Sequence, residues 1–234
     1  MIDWNEHKVW LREKLEHFQE WKNIAFAAAC AGRTLPVYLS YAEHLDPGRR
    51  VRTQVDQVTL AVEFVWRGLI DIDKDVSGAQ SYISILERII DEMEDVEGAD
   101  SLPIIHFDSE AFYAAYSINS SLLTYLNRRA LDAARTASYN YDLLGYYFSE
   151  TGSEQSDVDM EDGGDPVKSQ REELLRFANH PLLQNEINQQ RQDLAILGAA
   201  NTVARATFVT SFREASTNIS IIPSDILSKF QGLS

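Results

Sequence analysis

Val51, Val55, Val58, Val62, Val65 and Leu69 recur at alternating steps of four and three residues, and Tyr82, Leu86, Ile89, Met93 and Val96 repeat those steps. Each series draws one apolar stripe along an α-helix and predicts a face that packs against partner helices. No segment alternates apolar and polar residues over a strand's length, and no repeat of fixed period occurs. The pattern predicts an all-α fold, a single bundle-like domain of roughly seven or eight helices.

Capping signals divide the pattern. Asp3, with Glu6 three residues on, forms a capping-box-like start for a first helix that Gly32 is expected to close. Thr34 then opens a shorter helix that stops before Asp46-Pro47-Gly48, with Arg33-Thr34-Leu35-Pro36 marking the break. Ser77 with Gln80 opens the helix of the second stripe, which ends near Gly98. Asp108 or Ser109 caps a helix carrying Phe112, Ala115, Leu122 and Leu126 as far as Arg135, and a tyrosine-rich helical stretch follows from Ser138 to Phe148. Asp165-Pro166 and Asn179-His180-Pro181 each give the cap-then-proline order of a helix start. The stripe Leu183, Ile187, Gln190, Leu194 and Leu197 is expected to run on through Gly198 to Phe208 and Phe212, stopping near Ser216. These signals predict a helical domain over residues 1–216, with an acidic loop at 149–165, and a carboxy-terminal tail over 217–234.

Charge changes the picture from a generic bundle to one with two marked regions. The chain has 234 residues and a formal charge of −15. Residues 71–108 hold eleven acids against two bases and residues 150–165 hold seven acids and no base, so the remainder is nearly neutral at +1. An acidic chain of this kind disfavours direct nucleic-acid binding, which draws on Lys and Arg displacing counterions, and it disfavours anionic membranes. The longest apolar run, Ile24 to Ala31, is eight residues, far short of the ~20 that span a bilayer. The amino terminus lacks the basic-then-apolar order of a secretory leader, so a cytoplasmic location is expected. Cys30 is the only cysteine and lies within that apolar run, which points to a buried thiol with no disulfide partner in the chain.

Candidate chemistry is sparse. A carboxylate-bridged dimetal bundle needs Glu-x-x-His, yet the residues three before His7, His17, His44, His106 and His180 are Trp4, Lys14, Tyr41, Pro103 and Phe177. Glu13 and Glu16 flank the stripe Leu11, Leu15, Phe18 and read as a solvated face, and the histidines read as surface or cap residues. There is no Gly-x-Ser-x-Gly elbow, no Ser-x-x-Lys and no phosphate-cradling Gly-Lys-Ser or Gly-Lys-Thr. No catalytic residue, cofactor or metal is therefore assigned. Trp10, Trp21 and Trp66 lie on or beside apolar stripes and read as core, and the tyrosine cluster at 139 to 147 reads as core, with an interface as the alternative.

The segment Leu15-x-x-Phe-x-x-Trp21-Lys-Asn-Ile-Ala-Phe-Ala-Ala-Ala-Cys-Ala-Gly-Arg33-Thr-Leu-Pro36-x-Tyr38, taken with Phe212-Arg-Glu-Ala-Ser-Thr-Asn218-Ile219-Ser-Ile221, resembles the YjaG-like uncharacterised bacterial family, the domain of unknown function 416. The family pattern near the end reads Ser-Asn-Ile-Gly-Ile, whereas here Thr217 precedes Asn218-Ile219 and Ser220 stands for the glycine. The resemblance implies a small helical cytoplasmic protein of bacterial type and supplies no catalytic residue. In the residues' own terms, Asn218 is expected to take a left-handed conformation that ends a helix.

Segregated charge without a catalytic motif predicts an acidic helical module that holds a basic protein partner. Its most concrete form is an immunity protein that neutralises a basic bacterial toxin or effector domain by direct binding. The predicted contact residues are Asp91, Glu92, Glu94, Asp95, Glu97, Asp100, Glu154, Asp157, Asp159, Glu161 and Asp162. The alternative is a cytoplasmic housekeeping protein with an enzyme or small-ligand site between helices.

Overall fold

The computed structural model describes residues 2–45, 49–70, 75–97, 108–156, 175–200, 205–224 and 226–227. The described residues form an all-α domain with no strand: α1 (Trp4–Glu16), α2 (Glu20–Leu45), α3 (Arg49–Ile70), α4 (Val76–Glu97), α5 (Asp108–Asn127), α6 (Ala130–Ser156), α7 (Pro181–Ala199) and α8 (Arg205–Thr217). No described helix is long and apolar enough to cross a membrane.

The apolar run Ile24–Ala31 explains the architecture. It is buried on every side, from Ala25 at 0% exposure to Ala31 at 0%, because α2 is the central helix and α3, α5, α6, α7 and α8 all pack against it. A helix apolar all round belongs in the interior, and alanine lets its neighbours come close. α5 answers with Ala111, Ala114, Ala115, Ser117, Ser120, Ser121 and Thr124, all buried. Their hydroxyls are satisfied within the bundle: Ser121 Oγ donates to the Ile118 carbonyl (2.7 Å), Thr124 Oγ1 to that of Ser120 (2.8 Å) and Ser120 Oγ to that of Asp132 (3.0 Å). Both valine and isoleucine stripes are core, with Val58, Val65, Leu69, Leu86 and Ile89 almost fully buried.

Several helix boundaries differ from the expected ones. The first helix ends at Glu16, with His17 as its cap, and α2 then runs unbroken through Gly32 and Pro36. Proline inside a helix loses a hydrogen bond and clashes, a cost of ~3 kcal/mol, but Val37, Tyr38, Tyr41 and Ala42 beyond it are buried. Tertiary burial thus outweighs the local stop signal. Gly32 serves proximity: a Cβ there would meet Thr217 Cγ2 at 2.7 Å, so the residue lets α8 close on α2.

α5 stops at Asn127, eight residues early. Arg128 takes a positive φ of 60°, and its N–H donates to the Thr124 carbonyl at 2.7 Å, turning the chain into α6. Buried Asp132 then receives Asn127 Nδ2 (3.1 Å) and Arg129 Nε (3.1 Å), which fixes the corner. α6 continues to Ser156, so residues 149–156 of the segment read as a loop are helical. Residues 157–165, including the Asp165-Pro166 start, lie outside the described residues.

At α4 the cap is Asp75 and not Ser77: Asp75 Oδ1 accepts from Gly78 N–H (2.8 Å) and Ser77 Oγ (3.0 Å). His180 and Pro181 begin α7 as expected, but this helix ends at Ala199 and Arg205 begins a separate one. Asn218 has no positive φ. The last described residues do not leave the domain, since Ile221, Ile222 and Leu227 are buried in the core.

Gly68 on α3 lies against the buried ring of Tyr125, where a Cβ would approach Tyr125 Cζ to 2.8 Å. Helix propensity alone favours alanine here by ~1 kcal/mol. The steric conflict outweighs that gain, and Gly68→Ala is expected to lower unfolding free energy by about 1–3 kcal/mol in urea titrations.

Candidate functional site

The polar centre of the molecule is Arg33, at 0% exposure. Its Nε donates to Glu186 Oε2 (2.9 Å), Nη2 to Glu186 Oε1 (3.0 Å) and Nη1 to Asp193 Oδ2 (2.7 Å). Glu186 and Asp193 stand seven residues apart on α7, two turns along one face, so a single planar guanidinium bridges both. Nη2 also reaches Cys30 Sγ at 3.5 Å. One cation therefore meets two carboxylates in the interior.

Neutral donors complete the arrangement. Glu186 Oε1 accepts from Asn140 Nδ2 on α6 (2.9 Å) and Gln190 Nε2 (2.9 Å), and Asp193 Oδ1 from Gln189 Nε2 (2.9 Å) and Ser216 Oγ on α8 (3.1 Å). Asn140 Nδ2 also donates to the Cys30 carbonyl (3.2 Å), and Asn140 Oδ1 accepts from Ser117 Oγ on α5 (2.9 Å). The chain extends to α1: Arg191 Nε donates to His7 Nδ1 (3.4 Å), and His7 Nε2 donates to Gln190 Oε1 (2.8 Å). These partners select the neutral ring protonated at Nε2. The Arg33 carbonyl accepts from Ile221 N–H (3.0 Å), tying the segment after α8 to the same residue.

The electrostatics follow from burial. Desolvation alone would lower the Arg33 pKa, but the Glu186 and Asp193 charges overcome it and hold the guanidinium charged. Burial raises the Asp193 carboxyl, with Arg33 opposing it, and burial raises the Cys30 thiol well above its usual range. Cys30 is thus an inert buried thiol. Burial lowers the pKa of His7, which sits between Trp4 and Trp10 with ring centroids at 5.6 and 5.5 Å. His7 is a core residue, which corrects the expectation that the histidines are surface or cap groups, whereas His180 is the α7 cap.

With its donors and acceptors matched, this network has the chemistry of an internal clamp. Among the described residues no group of three or more His, Cys, Asp or Glu side chains could hold a metal ion. Open clefts are also present, one of them bordering this network. That cleft, of about 370 Å³, is lined by Asn185, Glu186, Gln189, Gln192, Ser220 and Ile221. Two others, of about 480 and 510 Å³, share Gly68 and Tyr125.

A family model described as a protein of unknown function, DUF416, matches residues 11–221. The chain belongs to the DUF416 family. A crystal structure of a DUF416 family protein from Shewanella baltica OS155 shares its fold, with a TM-score of 0.66 and 19% identity over 90% of this chain and 96% of that one. No curated protein matches. In this DUF416 chain, the two segments that carried the family resemblance meet at Arg33, through Ser216 on Asp193 and Ile221 on the Arg33 carbonyl.

The predicted contact acids are distributed differently. Asp91 is exposed on α4, and Glu92 is half-buried, accepting from Gln54 Nε2 at 2.9 Å. Glu94, Asp95 and Glu97 belong to the α4 backbone and Glu154 to that of α6, with their side chains outside the described residues. Asp100, Asp157, Asp159, Glu161 and Asp162 lie outside the described residues altogether. In the tyrosine-rich stretch, Tyr147 is buried, and Tyr146 is 43% exposed and stacks on Tyr113 at 5.0 Å. Sequence reading missed Arg33, Glu186 and Asp193, and the spacing of two acids at i and i+7 on an otherwise apolar stripe was the available signal.

Removing Arg33 leaves two buried carboxylates facing each other. Arg33→Met is expected to cost about 3–5 kcal/mol of unfolding free energy, measured by chemical denaturation followed by circular dichroism. His7 gives a pH signature. Its folded pKa lies below the unfolded value of 6.5, so the unfolded chain binds more protons as pH falls through that value. The stability it contributes is present above about pH 6.5 and is lost as pH falls toward the folded pKa. His7→Gln should flatten that part of the stability profile.

Proposed function

We propose that this protein works by binding a basic protein partner, and that its most concrete form is an immunity protein neutralising a toxin or effector domain. The observation that carries the reading is the segregation of charge, with −16 in residues 71–108 and 150–165 against +1 elsewhere. In support, α4 turns Glu87 and Asp91 to solvent, and its backbone continues as helix to Glu97, so the acids from Glu87 to Glu97 belong to one helix. A concentrated negative field speeds encounter with a basic surface and rejects acidic ones. The self-satisfied Arg33 network is consistent with a scaffold for that surface. A second reading, a small-ligand or enzymatic site in the bacterial cytoplasm, draws support from the open clefts beside Glu186 and Tyr125.

The test pairs the purified chain with the basic effector domain encoded beside its gene, using calorimetry and association kinetics at two salt concentrations. Exchanging Asp91, Glu94, Asp95, Glu97 and the acids of 154–162 for Asn and Gln is expected to slow association by about tenfold or more and to remove its salt dependence. Equal binding by the exchanged variant, or no binding by the native chain, defeats the reading.

A further inference from the structure

The two clefts around Tyr125 together carry an excess of positive charge, opposite in sign to the chain as a whole. They share Gly68 and Tyr125, so they are neighbouring parts of one groove walled by α2, α3, α4, α5 and the start of α8. Arg128 and Arg205 line one part and Arg67 the other, against Glu20 and Asp75. In a protein of formal charge −15, this groove carries three guanidiniums and two carboxylates.

Two of those guanidiniums have no counter-ion among the described residues. Among the described residues, neither Arg67 nor Arg205 has a carboxylate at ion-pair distance. Arg205 spends its Nε on the Leu69 carbonyl (2.9 Å) and lies 6.0 Å from the Trp21 ring centroid, which orients it and leaves its terminal nitrogens to donate. Arg128 pairs with Glu20 at 2.7 Å, but both side chains are well exposed, and such a pair contributes ~0–1 kcal/mol, which an incoming anion can displace. The floor holds a further donor: the Tyr125 hydroxyl accepts from Asp75 N–H at 3.2 Å, so its own proton remains to be given.

Arg128 is the one non-glycine residue with positive φ among those described, at a helix-terminal position where glycine is the usual choice. A side-chain-bearing residue in that conformation persists at a local cost that glycine would relieve.

We propose that this groove binds a small organic oxyanion, a phosphate ester or carboxylate, held by Arg128 and Arg205 over Trp21 and Tyr125. Its capacity fits a small molecule, and the acidity of the chain excludes a nucleic-acid backbone. The site is independent of the acidic surface proposed for a protein partner.

The test is calorimetric titration of the full chain with inorganic phosphate, adenosine monophosphate and citrate, with adenosine and matched sodium chloride as controls. Saturable one-to-one binding of at least one of the three anions is expected, with no binding of adenosine. Phosphate matching adenosine monophosphate identifies a bare oxyanion site, a tighter nucleotide identifies a phosphate ester, and citrate alone identifies a carboxylate; each supports the proposal. Arg205→Gln and Arg128→Gly should each weaken binding by at least about tenfold, the loss of one charge-assisted hydrogen bond. Arg128→Gly should meanwhile unfold at an equal or higher temperature, since glycine relieves the backbone, which separates lost binding from lost folding. Absence of saturable binding by all three anions at millimolar concentration, or undiminished binding by both variants, overturns it.

Discussion

A guanidinium with no access to water cannot be left alone, and the arrangement of this bundle is organised around that constraint. Arg33 sits on the central helix and is held by Glu186 and Asp193 from α7. Those carboxylates collect Asn140 from α6, Ser216 from α8 and, through Gln190, His7 from α1. Apolar contacts tolerate sliding and rotation; a forked cation against two fixed carboxylates does not. The network sets the register of helices whose alanine- and serine-rich faces would otherwise pack in several ways, α2 and α5 above all.

The same constraint accounts for the placement of small residues. α2 must approach its neighbours closely enough for one side chain to reach α7 while its carbonyl meets the segment after α8. Gly32 provides that approach at Thr217, and the alanines from Ala25 to Ala31 provide it toward α5 and α6. Around Tyr125 another glycine, Gly68, brings an aromatic ring against the backbone of α3, and the solvent-facing side of this junction forms the basic groove.

The fold class was legible because stripes such as Val58–Val62–Val65–Leu69 have one physical reading, and burial confirms it. Boundaries were less legible where a local signal competed with packing. Pro36 and Gly32 looked like stops, yet α2 is stabilised from several sides at once and passes through them. The end of α5 was hidden for the opposite reason, since Arg128 adopts a conformation that sequence rules assign to glycine or asparagine. The charged centre was hard to read because Arg33 lies more than 150 residues from Glu186 and Asp193, and the i, i+7 spacing of the two acids marks a shared face without naming its partner. Charge alone likewise does not separate the acidic residues at 91 and 92: equal in the sequence, one faces solvent and the other faces Gln54. The family motif was seen, but its arginine was read as punctuation.

One guanidinium against two carboxylates means that the interior carries more negative than positive formal charge, with amides and a hydroxyl making up the difference. Burial, which Arg33 only partly offsets, makes Asp193 retain its proton to higher pH than an exposed aspartate. Where this carboxyl titrates, folding is therefore also a protonation reaction, and the heat of unfolding there includes the ionisation heat of whatever buffer accepts the proton. The calorimetric enthalpy of this protein is then a property of the chain and its solution together, and only its dependence on buffer identity separates the two.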